Sequence, residues 1–231
     1  MYRGWMPRRP RYCPAKTCFH VLNRAVARLT LFEEQQDYEV FERVLTEAHT
    51  WFPLPILAYC VMPDHWHFVV RPTTDDALSS FFRWLTHTHV MRWHAQHQTE
   101  GIGHLYQGRF KAFPIQQDDH LSSVLRYVEQ NPLRAGLCAA AEEWKYSSLS
   151  RRLNGDEESN SILADWPIPR PRNWRAHVNK PQPESELDAI RASVKRGTPY
   201  GSDSWIKKSA ARLQLTHTLR PRGRPKKSAN E

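Results

Sequence analysis

Cysteine is scarce in this chain, four residues among 231, and Cys13, Cys18, Cys60 and Cys138 contain no C-x-x-C pair. That excludes a zinc finger and a disulfide scaffold, and a reducing cytoplasm is the expected compartment. No apolar run reaches the roughly 18 residues of a membrane span, so no transmembrane helix and no membrane partner are expected. The opening stretch, Met1-Tyr-Arg-Gly-Trp-Met-Pro-Arg-Arg-Pro10, has no apolar core after its charges and is not read as a secretory signal. Internal repeats are absent. Acidic residues fall short of basic ones, 24 against 33, for a net charge of +9. A polyanionic partner fits that balance, the alternative being a merely basic soluble protein. What the chain does have is a core: 40% hydrophobic residues, with nine Trp, eight Tyr and nine Phe, argue against global disorder. The length suits one or two domains.

Periodicity predicts strands over 16–26, 54–61, 65–70 and 109–116, and helices over 36–49, 77–97 and 118–131. Met62-Pro63-Asp64 marks the turn between the second and third strands, and Asp118 or Asp119 stands near the N-cap of the third helix. The order β-α-β-β-α-β-α predicts an α+β sandwich, helices against an antiparallel sheet. Residues 1–150 make the first domain on this reading. Residues 151–182 are rich in Pro, Asn, Ser and Arg, with Trp166 and Trp174 as isolated anchors, and read as a linker that wraps it. A small helical extension over 183–218, with helices at 184–195 and 204–213, precedes a basic tail over 219–231.

Two constellations carry chemistry. His65-Trp66-His67 lies in a β-prone run, where residues i and i+2 share a face, so both imidazoles can reach one metal ion while Trp66 packs behind. The alternative is two polar side chains on the solvent face of an edge strand. His87-Thr88-His89 has the same spacing, but in a helix its members diverge, and it is expected at the surface. The second constellation is Arg126-Tyr127-Val128-Glu129-Gln130-Asn131-Pro132. Leu121, Val124, Leu125 and Val128 form a core stripe, and Tyr127 and Asn131 fall about 40° apart at its rim. Tyr127 is a candidate nucleophile and Asn131 a candidate oxygen ligand; alternatively they are a rim aromatic and a C-cap. A tyrosine hydroxyl, with a pKa near 10, is a poor nucleophile at neutral pH without help at the phosphate, which a divalent ion supplies. Two His and an amide oxygen suit Mn²⁺ and tolerate Mg²⁺ better than zinc. Gln130 competes with Asn131 as third ligand; periodicity favours Asn131. Arg71, Arg83, Arg109, Lys111, Arg126 and Arg134, interleaved with Trp66, Trp84, Trp93, Tyr106 and Phe110, have the composition of a single-strand groove.

Val61-Met-Pro-Asp-His-Trp-His-Phe-Val-Val70, Tyr106-Gln-Gly-Arg-Phe-Lys111 and Leu125-Arg-Tyr-Val-Glu-Gln-Asn-Pro-Leu-Arg-Ala-Gly-Leu137 resemble the single-tyrosine HUH transposases, which include the insertion-sequence-200 group. With His20-Val-Leu-Asn-Arg24 and the Arg-Gly-Arg-Pro tail, the chain looks closest to the REP-associated tyrosine transposases. The resemblance is strong over about residues 8–150 and weaker beyond. It implies a ferredoxin-like HUH endonuclease fold with a helical, basic C-terminal extension. It also implies His65 and His67 as metal ligands, Asn131 completing the shell, and Tyr127 attacking the scissile phosphate and holding the 5′ end. The substrate implied is single-stranded DNA with a hairpin, and the cofactor Mg²⁺ or Mn²⁺. Expected DNA contacts are Arg24, Arg83, Arg109, Lys111, Arg126 and Arg134. A homodimer and a monomer fit equally. Ala25 departs from the glycine common after Asn-Arg. In the tail, Arg222-Gly-Arg224-Pro matches the core of a minor-groove AT-hook, with Arg222 and Arg224 as contacts; a generic basic tail is the alternative.

Overall fold

The structure is a computed structural model that describes residues 12–220. The basic arm before residue 12 and the Arg222–Arg224 motif lie outside the described residues. Four strands, β1 (Cys18–Arg24), β2 (Ile56–Met62), β3 (His65–Val70) and β4 (Lys111–Ile115), form one antiparallel sheet in the order β2-β3-β1-β4. Helices α1 (Gln35–Trp51) and α2 (Ala77–His97) cover one face, and α3 (Asp119–Glu129) covers the other. This is the β-α-β-β-α-β order of a ferredoxin-like sandwich, followed by α3.

Alternation along the strands builds the two cores. Phe19, Val21, Trp66, Phe68, Tyr59 and Val61 face α1 and α2, where Phe41, Val44, Leu45, Phe81, Phe82 and Leu85 meet them, all essentially without exposure. Trp66 stacks on Phe82 with centroids 5.5 Å apart. On the other face, Cys60, Met62, Val69, Phe113 and Ile115 meet the predicted stripe Leu121, Val124, Leu125 and Val128. Each such side chain, fully buried, stabilises the fold by about 1.5–3 kcal/mol.

His89 is buried on the core side of α2 at the spacing of Phe82 and Leu85, correcting its expected surface position; His87 is exposed. The helix predicted over 118–131 is capped by Asp118, whose carboxylate accepts from the His120 amide at 3.0 Å. It stops at Glu129. Pro132 has no amide proton to continue the ladder, and the chain re-forms as the short α4 (Asn131–Arg134).

The remaining helices are α5 (Ser148–Asn154), α6 (Glu157–Asn160), α7 (Trp174–Asn179), α8 (Glu184–Arg196) and α9 (Asp203–Arg212). The stretch read as a linker over 151–182 packs on the sheet: the Trp166 indole donates to Leu57 O at 2.8 Å, and the Trp174 indole to buried Glu129 at 2.6 Å. Both sheet edges are covered by later chain. Tyr146 O accepts from Val61 N and Ile56 O from Ala164 N along β2, while Tyr200 exchanges backbone bonds with Pro114 and Gln116 beside β4. Covered edges leave fewer free backbone groups for another chain to pair with. Among the described residues no helix is long and apolar enough to cross a membrane.

Candidate active site

β3 is flanked by β2 and β1, so His65 and His67 stand on an interior strand rather than an edge. They share the face turned toward α3, with ring centroids 4.8 Å apart. His67 is 3% exposed and His65 only partly buried. Both Nδ1 atoms are engaged: His65 Nδ1 contacts the Asp64 carboxylate in a very short hydrogen bond, and His67 Nδ1 lies 2.8 Å from Nε2 of His20. Nε2 is the nitrogen each ring has left.

Burial, reinforced by the charges of His65, His20, Arg134 and Arg24, holds the His67 pKa well below the ordinary histidine value. Burial brings His20 down to about 3. Both rings are therefore neutral at physiological pH, the form that coordinates a metal. The hydrogen bond from His65 holds the Asp64 carboxyl below its usual range, and Arg24 approaches its other oxygen at 3.7 Å.

The apolar stripe of α3 seats that helix on the sheet, which brings Tyr127 to the histidines: its ring centroid lies 6.0 Å from that of His67, edge to face. Asn131 follows at the start of α4. Arg134 ties the two together. Its guanidinium lies 4.3 Å over the Tyr127 ring, and its Nη2 donates to Asn131 Oδ1 at 2.6 Å and to Tyr127 O at 3.3 Å. Burial lowers its pKa. These groups line a cleft of about 490 Å³ that also receives Arg24, Arg109 and Lys111. A second depression of about 440 Å³ continues from it across Asn23, Gln107, Gly108 and Arg109 to Arg83. The loop between the two is held down by Asn23, whose amide donates to Gly108 O at 3.2 Å, and by the Gln107 amide bonding Arg24 O at 3.0 Å.

Arg126 corrects its expected place among the DNA contacts. It is 7% exposed, and its guanidinium donates to Lys180 O at 2.7 Å and Pro181 O at 3.0 Å, tying α3 to the chain after α7. At about 100° per residue it lies on another side of the helix from Tyr127. Gln130 is likewise spent on backbone, donating to Val178 O at 2.6 Å and Lys180 O at 2.5 Å, and is not in the cleft. Asn131 is.

Four contributors are not legible in the sequence. Asp64 enters the sequence only as a turn residue and His20 only within the His20–Arg24 motif; His20 shares a strand face with Leu22 and Arg24 and so faces the same side as His67, a signal that needs the register Leu22↔His67 to be usable. Val194 and Lys195 of α8 line the cleft from a distance in sequence that no local pattern reveals.

The donor set fits a divalent cation. Two imidazoles present Nε2, and Asn131 Oδ1 keeps a lone pair beyond the one that Arg134 uses. Among the described residues no group of three or more His, Cys, Asp or Glu is gathered as a metal site.

The profile of the family described as Transposase IS200 like matches residues 15–131, just over half of the chain. The chain belongs to that family of transposases. An Escherichia coli K12 protein named REP-associated tyrosine transposase is 25% identical over 143 residues, covering 61% of this chain and 80% of its own. A Haemophilus influenzae protein provisionally given the same name is 26% identical over 123 residues, covering 50% of this chain and 68% of its own. Among solved structures, a REP-associated tyrosine transposase bound to a REP hairpin shares the fold, with a TM-score of 0.52 at 20% identity over 73% of this chain and 96% of that one.

Proposed function

We propose that this transposase cleaves and rejoins single-stranded DNA beside a hairpin, through a covalent link to Tyr127 and with the help of Mg²⁺ or Mn²⁺. The observation that carries the reading is the meeting of Tyr127, His65, His67, Asn131 and Arg134 in one cationic cleft. Hairpin DNA as substrate rests on the structural relative described as bound to a REP hairpin.

The Tyr127 hydroxyl attacks the scissile phosphorus and forms a new P–O bond. The bond from phosphorus to the 3′ oxygen breaks. The phenolic proton leaves to solvent and the departing oxygen takes one up, giving a 5′-phosphotyrosine and a free 3′-hydroxyl. The anhydride-free ester retains the energy of the broken linkage, so attack by a 3′-hydroxyl rejoins a strand without ATP. A divalent cation, when held by His65, His67 and Asn131, supplies polarisation of the phosphate oxygens and offsets charge developing there. Arg134 restrains the nucleophile through its ring and adds a fixed positive charge beside the phosphate. Arg24, Arg109, Lys111 and Lys195 present cations to the flanking backbone, and Arg83 extends that path through the second depression.

The test is incubation of the full chain with hairpins flanking its own gene, with and without Mn²⁺, followed by denaturing electrophoresis and mass spectrometry of the adduct. A cation-dependent covalent adduct on Tyr127 is expected. Nicking with no adduct would replace the tyrosine mechanism by a phosphoesterase reaction that uses His65 and His67. Hairpin binding without nicking would leave a DNA-binding regulator on the same fold.

A further inference from the structure

His20 sits at the centre of the sheet on β1, fully buried, diagonal to His67 across the β1–β3 ladder. Its ring plane is within 9° of that of His67, and Nε2 of His20 stands 2.8 Å from Nδ1 of His67. Phe113 meets it edge-on, with centroids 4.8 Å apart, and the ring of Tyr127 lies 6.2 Å away. Two nitrogens at that distance share a single proton. If the proton belongs to His20, His67 carries its own proton on the cleft side and has no lone pair to offer there. If it belongs to His67 Nδ1, the cleft-side Nε2 is a free donor. His20 Nδ1 finds no partner in either arrangement, so its own satisfaction does not select between them.

We infer that His20 is a positioning residue: its Nε2 accepts the Nδ1 proton of His67 already in the metal-free protein, and so holds His67 with Nε2 aimed as a lone-pair donor into the cleft. Asp64 does the same work for His65. The two ligand rings are thus gripped at equivalent atoms by unlike acceptors, a carboxylate for the more exposed histidine and an imidazole for the buried one. Partners of this kind orient metal-binding histidines and set their tautomer. The inference rests on the reading of His65 and His67 as metal ligands.

The experiment uses the full chain and Mn²⁺ alone, with free Mn²⁺ followed by its electron paramagnetic resonance signal. His20→Phe keeps a ring of similar area and deletes the acceptor. His20→Gln places an amide oxygen near the position of Nε2. His20→Phe should raise the Mn²⁺ dissociation constant about 10–100-fold, and His20→Gln should recover most of the loss. Equal affinity in the wild type and His20→Phe overturns the role of His20 alone. Equal weakening in both variants also overturns it, because packing would then explain the effect. A wild-type chain that binds no Mn²⁺ overturns the metal reading on which the inference rests. A fourth measurement needs no variant: ¹⁵N-histidine NMR of the metal-free wild type should find the His67 proton on Nδ1. A proton on Nε2 of His67 overturns the inference even if the variants do not fold.

Discussion

The guanidinium of Arg134 lies flat against Tyr127, 4.3 Å from the ring centroid, while one of its nitrogens holds Asn131 Oδ1. Tyr127 and Asn131, the proposed nucleophile and amide ligand, are therefore positioned by one side chain. Tyr127→Phe keeps the ring and this stacking and removes the hydroxyl alone. It should abolish the covalent DNA adduct, leave the hairpin dissociation constant within about twofold, and change stability within about 0.5 kcal/mol. Persistence of an adduct in Tyr127→Phe would refute the assignment.

His65 and His67 differ in burial, so their alanine variants should differ in stability. His67→Ala strands buried Nε2 of His20 and opens a cavity beneath α3, a cost of about 1–3 kcal/mol. His65 is less buried, and His65→Ala should cost about 1 kcal/mol or less. Both should lose Mn²⁺-stimulated nicking. Urea unfolding of the two variants checks the order; equal midpoints would mean that the His20–His67 contact contributes nothing.

Arg109 and Arg126 should separate by salt. Arg109 is exposed in the cleft, and replacing it by Ala should reduce the slope of log affinity against log salt by about 0.7–0.9 if it touches a phosphate. Arg126 is occupied by carbonyls of Lys180 and Pro181. Arg126→Met should leave the slope unchanged and lower the melting temperature. A reduced slope in Arg126→Met would place that guanidinium on DNA after all.

His89 predicts a pH dependence of stability away from the active site. Burial, opposed by Asp37 and aided by His97, brings its pKa from 6.5 to about 3. The unfolded chain therefore binds a proton below pH 6.5 that the folded chain refuses until about pH 3. Stability contributed by this ring is present above 6.5 and is lost as pH falls across that window, by up to about 1.4 kcal/mol per pH unit. His89→Asn keeps an acceptor for the Tyr106 hydroxyl and removes the titration. Its unfolding free energy should fall less steeply between pH 6.5 and 4.5; a slope equal to that of the wild type would show that His89 is not the responsible group.

The alternation of β1 and β3 and the stripe of α3 made the sandwich legible, because each element carries its own period. The same periods placed His65, His67 and Tyr127 on facing surfaces. What stayed hidden needed pairing in three dimensions. Nothing local distinguishes His20 from a core histidine until the β1–β3 register sets it beside His67. Arg126 looked like Arg134 in sequence, and only the path of residues 178–182 across α3 turns one into a backbone clamp. His87 and His89 diverge around α2, which argued for a surface pair; His89 has the spacing of the core stripe, and the Tyr106 hydroxyl, 2.9 Å from its Nδ1, satisfies it there.

Tyr200 closes the β4 edge and Trp174 reaches back to Glu129, two residues beyond Tyr127. During synthesis, then, the sheet and the tyrosine helix emerge from the ribosome well before the segments that seal them. At about 5–20 residues per second, an interval of seconds separates Tyr127 from Tyr200. Through that interval β4 is an open edge, and until Trp174 emerges Glu129 lacks its indole partner. The nascent chain therefore holds Tyr127 and the paired histidines in an unfinished frame, which is completed only as the C-terminal helices dock.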